Sequence, residues 1–159
     1  MRRAGFTLIE LVLVMAILAF MAGFVAPALA KASRQRALDQ EALRLIGVIE
    51  YGRDEAVSQG VAMAVFIDTQ SQRFGMEPAS EASGLDVHKE FTLHSDLHFE
   101  TIDGGTSMKS GRVMTFTPEG VIDPGSMDAV TIADRTGYKT RVVRDSNAWG
   151  YEVAKGDNP

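Results

Sequence analysis

The chain has 159 residues, with 16 Lys and Arg against 21 Asp and Glu, a formal net charge of −5. It has no cysteine, which excludes a disulfide-stapled domain and thiolate chemistry, and its acidic balance gives no global electrostatic case for nucleic acid. Once a short leader and an apolar segment are set aside, about 130 residues remain, enough for one small domain.

The apolar segment comes first. Residues 11–30 carry no charged side chain, and 6–30 as one α-helix would be roughly 37 Å long, more than a hydrocarbon core of about 30 Å. The pattern therefore predicts a transmembrane helix over 6–30. Arg2 and Arg3 precede it and favour a cytoplasmic N-terminus with the remainder exported. Glu10 is the anomaly, because a carboxylate in an inserted helix costs up to about 3 kcal/mol and calls for a partner. A cut between Gly5 and Phe6 would supply one, since the new amine of Phe6 lies one helical turn from Glu10.

Helix packing is also written into this run. Ala22, Ala26 and Ala30 recur every four positions and Ala19 pairs with Gly23, so neighbouring backbones can approach closely on that side. Pro27 lacks an amide donor and crowds the carbonyl of Gly23, weakening the helix there. A competing reading takes 1–30 as an ordinary signal peptide with an A-x-A site at Ala28, Leu29 and Ala30, giving a soluble secreted protein. It leaves Glu10 at the head of the apolar run unexplained.

The stretch GFTLIE, residues 5–10, after the basic leader MRRA, resembles the class III signal of type IV pilins and type II secretion pseudopilins. The resemblance implies that a prepilin peptidase cuts between Gly5 and Phe6 and methylates the Phe6 amine, and that Glu10 sets subunit registration in a helical filament. Pro27 matches a proline that in pilins marks a bend in the N-terminal helix. The family further implies a single-pass protein of the bacterial inner membrane with its C-terminal domain in the periplasm. The chain lacks the C-terminal disulfide loop of many major pilins, which fits a pseudopilin or minor pilin better.

Residues 31–60 predict the same helix continued outside the membrane. Leu38, Ala42, Leu45, Ile49 and Ala56 recur at helical spacing while charged and amide side chains interrupt them, so one face is made to be covered. Gly60 reads as the stop. From 61 to 159 the pattern turns to strands: 61–67 and 73–76 as a hairpin, 77–84 as a loop, then 91–93, 97–102, 113–116 and 121–122. The clearest hairpin is 129–133 with 138–144, around Asp134, Arg135, Thr136 and Gly137, and 149–153 closes the sheet.

EYGRDEAVSQG (50–60), FTPEG (116–120) and the final WGYEV (149–153) resemble the minor pseudopilin H family of type II secretion systems. That resemblance implies an α+β fold in which a long N-terminal amphipathic and transmembrane helix packs on a small antiparallel domain of two sheets. It implies a non-catalytic subunit of a periplasmic pseudopilus, with other pseudopilins, the prepilin peptidase and the inner-membrane assembly platform as partners, together with the secretin or a secreted substrate. A minor type IV pilin acting in pilus assembly or DNA uptake is the alternative.

Nothing in the exported part argues for an enzyme or a cofactor. His88, His94 and His98 are the only histidines and form no zinc motif. Asp103, Asp123 and Asp128 sit in turn sequences and no EF-hand pattern is present. Ser58, Ser95, Ser107 and Ser110 lie in no nucleophile elbow, and no phosphate loop occurs. Arg135, Lys139, Arg141 and Arg144 make a local basic strip, read as a solvated strand face rather than a nucleic-acid site.

Overall fold

The computed structural model describes residues 7–146 and 149–154, with the side chains of 24–28 and 81 outside the description. Among the described residues one long helix, α1 (Leu8–Gln59), is followed by nine strands: β1 (Met63–Asp68), β2 (Arg73–Pro78), β3 (Lys89–Thr92), β4 (Leu97–Gly104), β5 (Thr106–Met108), β6 (Gly111–Phe116), β7 (Met127–Asp134), β8 (Lys139–Arg144) and β9 (Tyr151–Ala154). A single 3-10 turn, Glu81–Ser83, lies between β2 and β3. The chain divides into two compact units, Met1–Arg36 and Ala37–Pro159.

In the first unit the helix over residues 8–23 is apolar apart from Glu10, and uncovered. Leu8, Ile9, Leu13, Met15, Phe20 and Met21 are each more than half exposed. The expected fold and location are corrected at this point: among the described residues no helix is long and apolar enough to cross a membrane. The single-pass transmembrane helix and the inner-membrane placement built on it are therefore not borne out. Although α1 runs for 52 residues, it is charged from Lys31 onward, so its length alone does not make it a membrane span.

In the second unit the helix has one buried face. Leu38, Ala42, Leu45, Ile49 and Ala56 are all essentially inaccessible, as their spacing requires. They meet two antiparallel sheets, a five-stranded one in the order β3-β2-β1-β6-β5 and a four-stranded one in the order β4-β7-β8-β9. Both sheets contribute to one contiguous core that includes Val65, Phe74 and Met114 from the first and Phe99, Ile132 and Val142 from the second. Gly52 permits the close approach of α1 to β1, because a Cβ at that position would lie 2.8 Å from Val65 Cγ2.

Strand β1 is buried on both faces, which explains its continuous apolar run in place of alternation. Met63, Val65 and Ile67 belong to the main core, while Ala64 and Phe66 join Val113 in a second cluster under Ala79 and Met108. The chain changes sheets between β4 and β5, where Gly104 and Gly105 take φ of 71° and 83°, values that favour glycine. Strand β5 was not expected, and 121–122 forms only an isolated bridge, Ile122 to Phe116.

Polar contacts tie α1 to the sheets. Arg44 lies over the rings of Phe74 and Phe91, 5.4 and 5.1 Å from their centroids, and donates to the Thr92 carbonyl at 3.2 Å. The buried Thr140 hydroxyl on β8 donates to Asp39 Oδ1 at 3.3 Å.

Candidate assembly surfaces

Of the predicted site residues the structure describes one fully, Glu10. Gly5 and Phe6 lie outside the described residues, as does the side chain of Pro27. Glu10 sits exposed in the first turn of α1. Its amide donates to Thr7 Oγ1 at 3.4 Å and to the Thr7 carbonyl at 3.1 Å, and the Leu11 amide donates to the same carbonyl at 3.2 Å. Thr7 is thus the N-cap, and Thr7-x-x-Glu10 has capping-box spacing. The carboxylate also complements the positive end of the helix dipole. This second reason for a glutamate at position 10 was readable in the sequence as T-x-x-E before an apolar run, and the sequence reading missed it.

The small residues named for helix packing are open where they are described. Ala19, Ala22 and Ala30 are exposed, and a Cβ on Gly23 would meet nothing within 4 Å.

The histidines do not gather. His88 lies with Nδ1 3.7 Å from Glu77 and Nε2 3.8 Å from Glu90, its ring stacked 5.9 Å from Phe66. His94 Nδ1 accepts from the Asp96 amide at 3.4 Å, and His98 is on β4. Among the described residues no group of three His, Cys, Asp or Glu could hold a metal ion. The turn carboxylates have local work instead: Asp123 Oδ1 accepts from the Gly125 amide at 2.8 Å.

The basic strip is paired. Lys139 Nζ is 2.7 Å from Glu100, Arg141 bridges Asp103, and Arg144 lies 3.6 Å from Asp128 while donating to the Ser126 carbonyl at 2.7 Å. Arg135 donates to the Ser95 carbonyl at 3.3 Å. A face on which three of the four bases have anionic partners offers little net charge to a phosphate backbone.

Among the described residues three groups show displaced titration. Asp68 closes the β1–β2 turn, where the Ser71 hydroxyl and the Gln70 and Ser71 amides donate to it, and this holds its carboxyl below the usual carboxylate range. The nearby Thr117 hydroxyl and the backbone of Glu119 hold the Glu119 carboxyl below its usual range. Burial pushes the Tyr151 phenol up, and its hydroxyl donates to the Met127 carbonyl at 2.5 Å. None of the three stands beside a second perturbed group; Asp68 and Glu119 sit in turns and Tyr151 in the core.

An uncovered apolar helix leading into a helix-backed pair of antiparallel sheets defines a pilin-like fold, and comparison with known proteins agrees. Residues 1–26 match the family described as the prokaryotic N-terminal methylation motif. The minor pseudopilin EpsH from the type II secretion system of Vibrio cholerae superposes with a TM-score of 0.58 at 15% identity, covering 78% of this chain and 98% of that one. The type IV minor pilin FimU of Pseudomonas aeruginosa superposes with a TM-score of 0.55 at 17% identity, covering 77% and 92%. No curated protein matches the chain by sequence.

Proposed function

We propose that this protein is a non-catalytic structural subunit of a pseudopilus, of the minor pseudopilin kind that serves type II secretion. The observation that carries this reading is the exposed helix over residues 8–23, apolar apart from Glu10, in a chain whose remainder has the pilin-like fold. An apolar surface of that extent needs a cover, and packing against the corresponding helices of neighbouring subunits supplies it. The open small residues at Ala19, Ala22 and Gly23 suit such close helix contacts.

On this reading a prepilin peptidase cuts between Gly5 and Phe6 and methylates Phe6. Glu10 of one subunit then meets the Phe6 amine of another, and Pro27 lets the helix adapt as it enters the filament. Other pseudopilins and the assembly platform of the secretion machinery are the working partners, with the secretin or a secreted substrate at the filament end.

Glu10→Gln tests the ion pair. It keeps the shape and the cap spacing but removes the charge, so subunit copurification with neighbouring pseudopilins should fall while the fold of the second unit is unchanged; undiminished copurification would count against Glu10 as the registering charge. A minor type IV pilin is the second reading, favoured by the comparable likeness to FimU. Deletion of the gene separates the two, since loss of secretion supports the first and loss of pili the second.

A further inference from the structure

The outward face of α1 in the second unit carries features that the stability of the helix alone would remove. Gly47 lies in the helix interior, where glycine is unfavourable, yet a Cβ there would meet nothing within 4 Å, so no packing inside the chain asks for it. Gly52, by contrast, is required by the approach of β1. Glu50 and Asp54 stand four residues apart on the same side of the helix, both exposed, and like charges at that spacing repel. Neither carboxylate has a hydrogen-bond or ion-pair partner among the described residues.

Apolar side chains flank these positions. Leu43 is 62% exposed, Tyr51 41% and Val57 54%. At about 100° per residue, positions 43, 47, 50, 51, 54 and 57 fall within roughly 120° of arc, opposite the buried row that runs from Leu38 to Ala56. Leu43 and Tyr51 are each four residues from Gly47, so they form the ends of a ridge with a gap in its middle. Tyr51 is held in place by Lys89 of β3, whose Nζ lies 3.8 Å from the ring centroid. The cations that border the face are already engaged: Arg44 with Glu41, the Thr92 carbonyl and two phenylalanine rings, Arg53 with the ring and carbonyl of Trp149, and Lys89 with Tyr51. The face therefore presents an apolar gap, with uncompensated negative charge one to two turns further along.

We propose that this face of α1 seats a helix of a neighbouring, non-identical subunit, which offers an apolar side chain to the gap at Gly47 and a Lys or Arg to Glu50 and Asp54. The inference rests on the reading of the protein as an assembling subunit and gives one of its neighbours a chemistry. A second copy does not fit. Two such faces meeting about a two-fold axis would set Glu50 and Asp54 against their own counterparts, and a contact with some other surface of the same chain would extend without closing, at odds with a minor subunit. The bare glycine between two large side chains is a hole for a partner's knob, and the partner's cation relieves the repulsion that the free chain bears. The residues that weaken the isolated helix thus serve the complex.

The full chain, in cells that make its secretion machinery, provides the test. p-Benzoylphenylalanine replaces Leu43, at the rim of the gap, in one strain and Met15, on the exposed apolar helix, in another; ultraviolet adducts are identified by mass spectrometry of the joined peptides. Position 43 is expected to join a different pilin-like subunit within one helical turn of a Lys or Arg. Glu50→Lys with Asp54→Lys should lower that adduct by about tenfold or more, and changing the partner's cation to Glu should restore it. Gly47→Leu fills the gap and should lower the adduct as far while raising the unfolding temperature of the chain, which separates a lost contact from a lost fold. Adducts from position 15 without one from position 43 overturn the proposal and leave the subunit reading standing. Absence of adducts from position 15 overturns both. An adduct from position 43 to a second copy of this chain, or one unmoved by the charge reversal or by Gly47→Leu, also overturns the proposal.

Discussion

Two glycines in α1 make opposite predictions for the same substitution. Gly47 faces open space, with nothing within 4 Å of a Cβ, whereas a Cβ on Gly52 would stand 2.8 Å from Val65 Cγ2. In a helix, alanine is favoured over glycine by about 0.8–1.0 kcal/mol, so Gly47→Ala should stabilise the protein by about 1 kcal/mol. Gly52→Ala gains the same propensity and meets a β-branched side chain that is fully buried and stiff at χ1. Overpacking of that kind costs about 1–3 kcal/mol, which leaves a net change between neutral and about 2 kcal/mol destabilising. Denaturant or thermal unfolding of the full chain measures both, and the gap between the two variants should be about 1–3 kcal/mol, several degrees in Tm. Equal stabilisation by both would refute the close packing of α1 on β1.

Other predictions rest on single contacts. Thr7→Ala removes the cap of α1 and should cost about 1 kcal/mol locally, read as faster hydrogen exchange of the Glu10 and Leu11 amides; unchanged exchange would remove the capping box. Arg44→Lys keeps the charge but loses the planar stack on Phe74 and Phe91, and should lower stability by about 1 kcal/mol, seen as a shift in the unfolding midpoint. The Asp68 carboxyl is lowered in the folded state, so its contribution is present above the unfolded value of 3.8 and is lost as pH falls through the folded one. Asp68→Asn should therefore flatten the acid limb of the stability profile, and an unaltered limb would show that Asp68 does not carry it. The paired bases predict no salt-dependent binding of duplex DNA, and binding weakened by Arg141→Ala would reopen the nucleic-acid reading.

How far these features were legible depends on the range over which each is specified. The buried face of α1 from Leu38 to Ala56 was plain, because a 3.6-residue period is local. So was the β7–β8 hairpin: Asp134 accepts from the Thr136 and Tyr138 amides at 2.8 and 2.9 Å, turn chemistry written in five consecutive residues. Strand β5 was hidden because its three residues sit among glycines and serines and owe their pairing to β6 rather than to their own propensity. Two sheets were implied by the family resemblance, but which strands share a sheet was out of reach of any local pattern, since β1 pairs with β6 across some fifty residues of chain. Glu10 was noticed for its charge, but its neighbour Thr7 went unread. Trp149 was read only as the start of a closing strand, when it lies one turn before β9 and packs under Arg53, a contact from α1 that no local pattern announces.

The apolar helix is the feature on which the subunit reading stands, and intact mass with N-terminal sequencing of the protein purified from its own cells tests whether it is retained. The account predicts a mature chain that begins at methylated Phe6 and keeps residues 8–23. A chain beginning at Lys31, its apolar helix removed as an ordinary signal peptide, would contradict it.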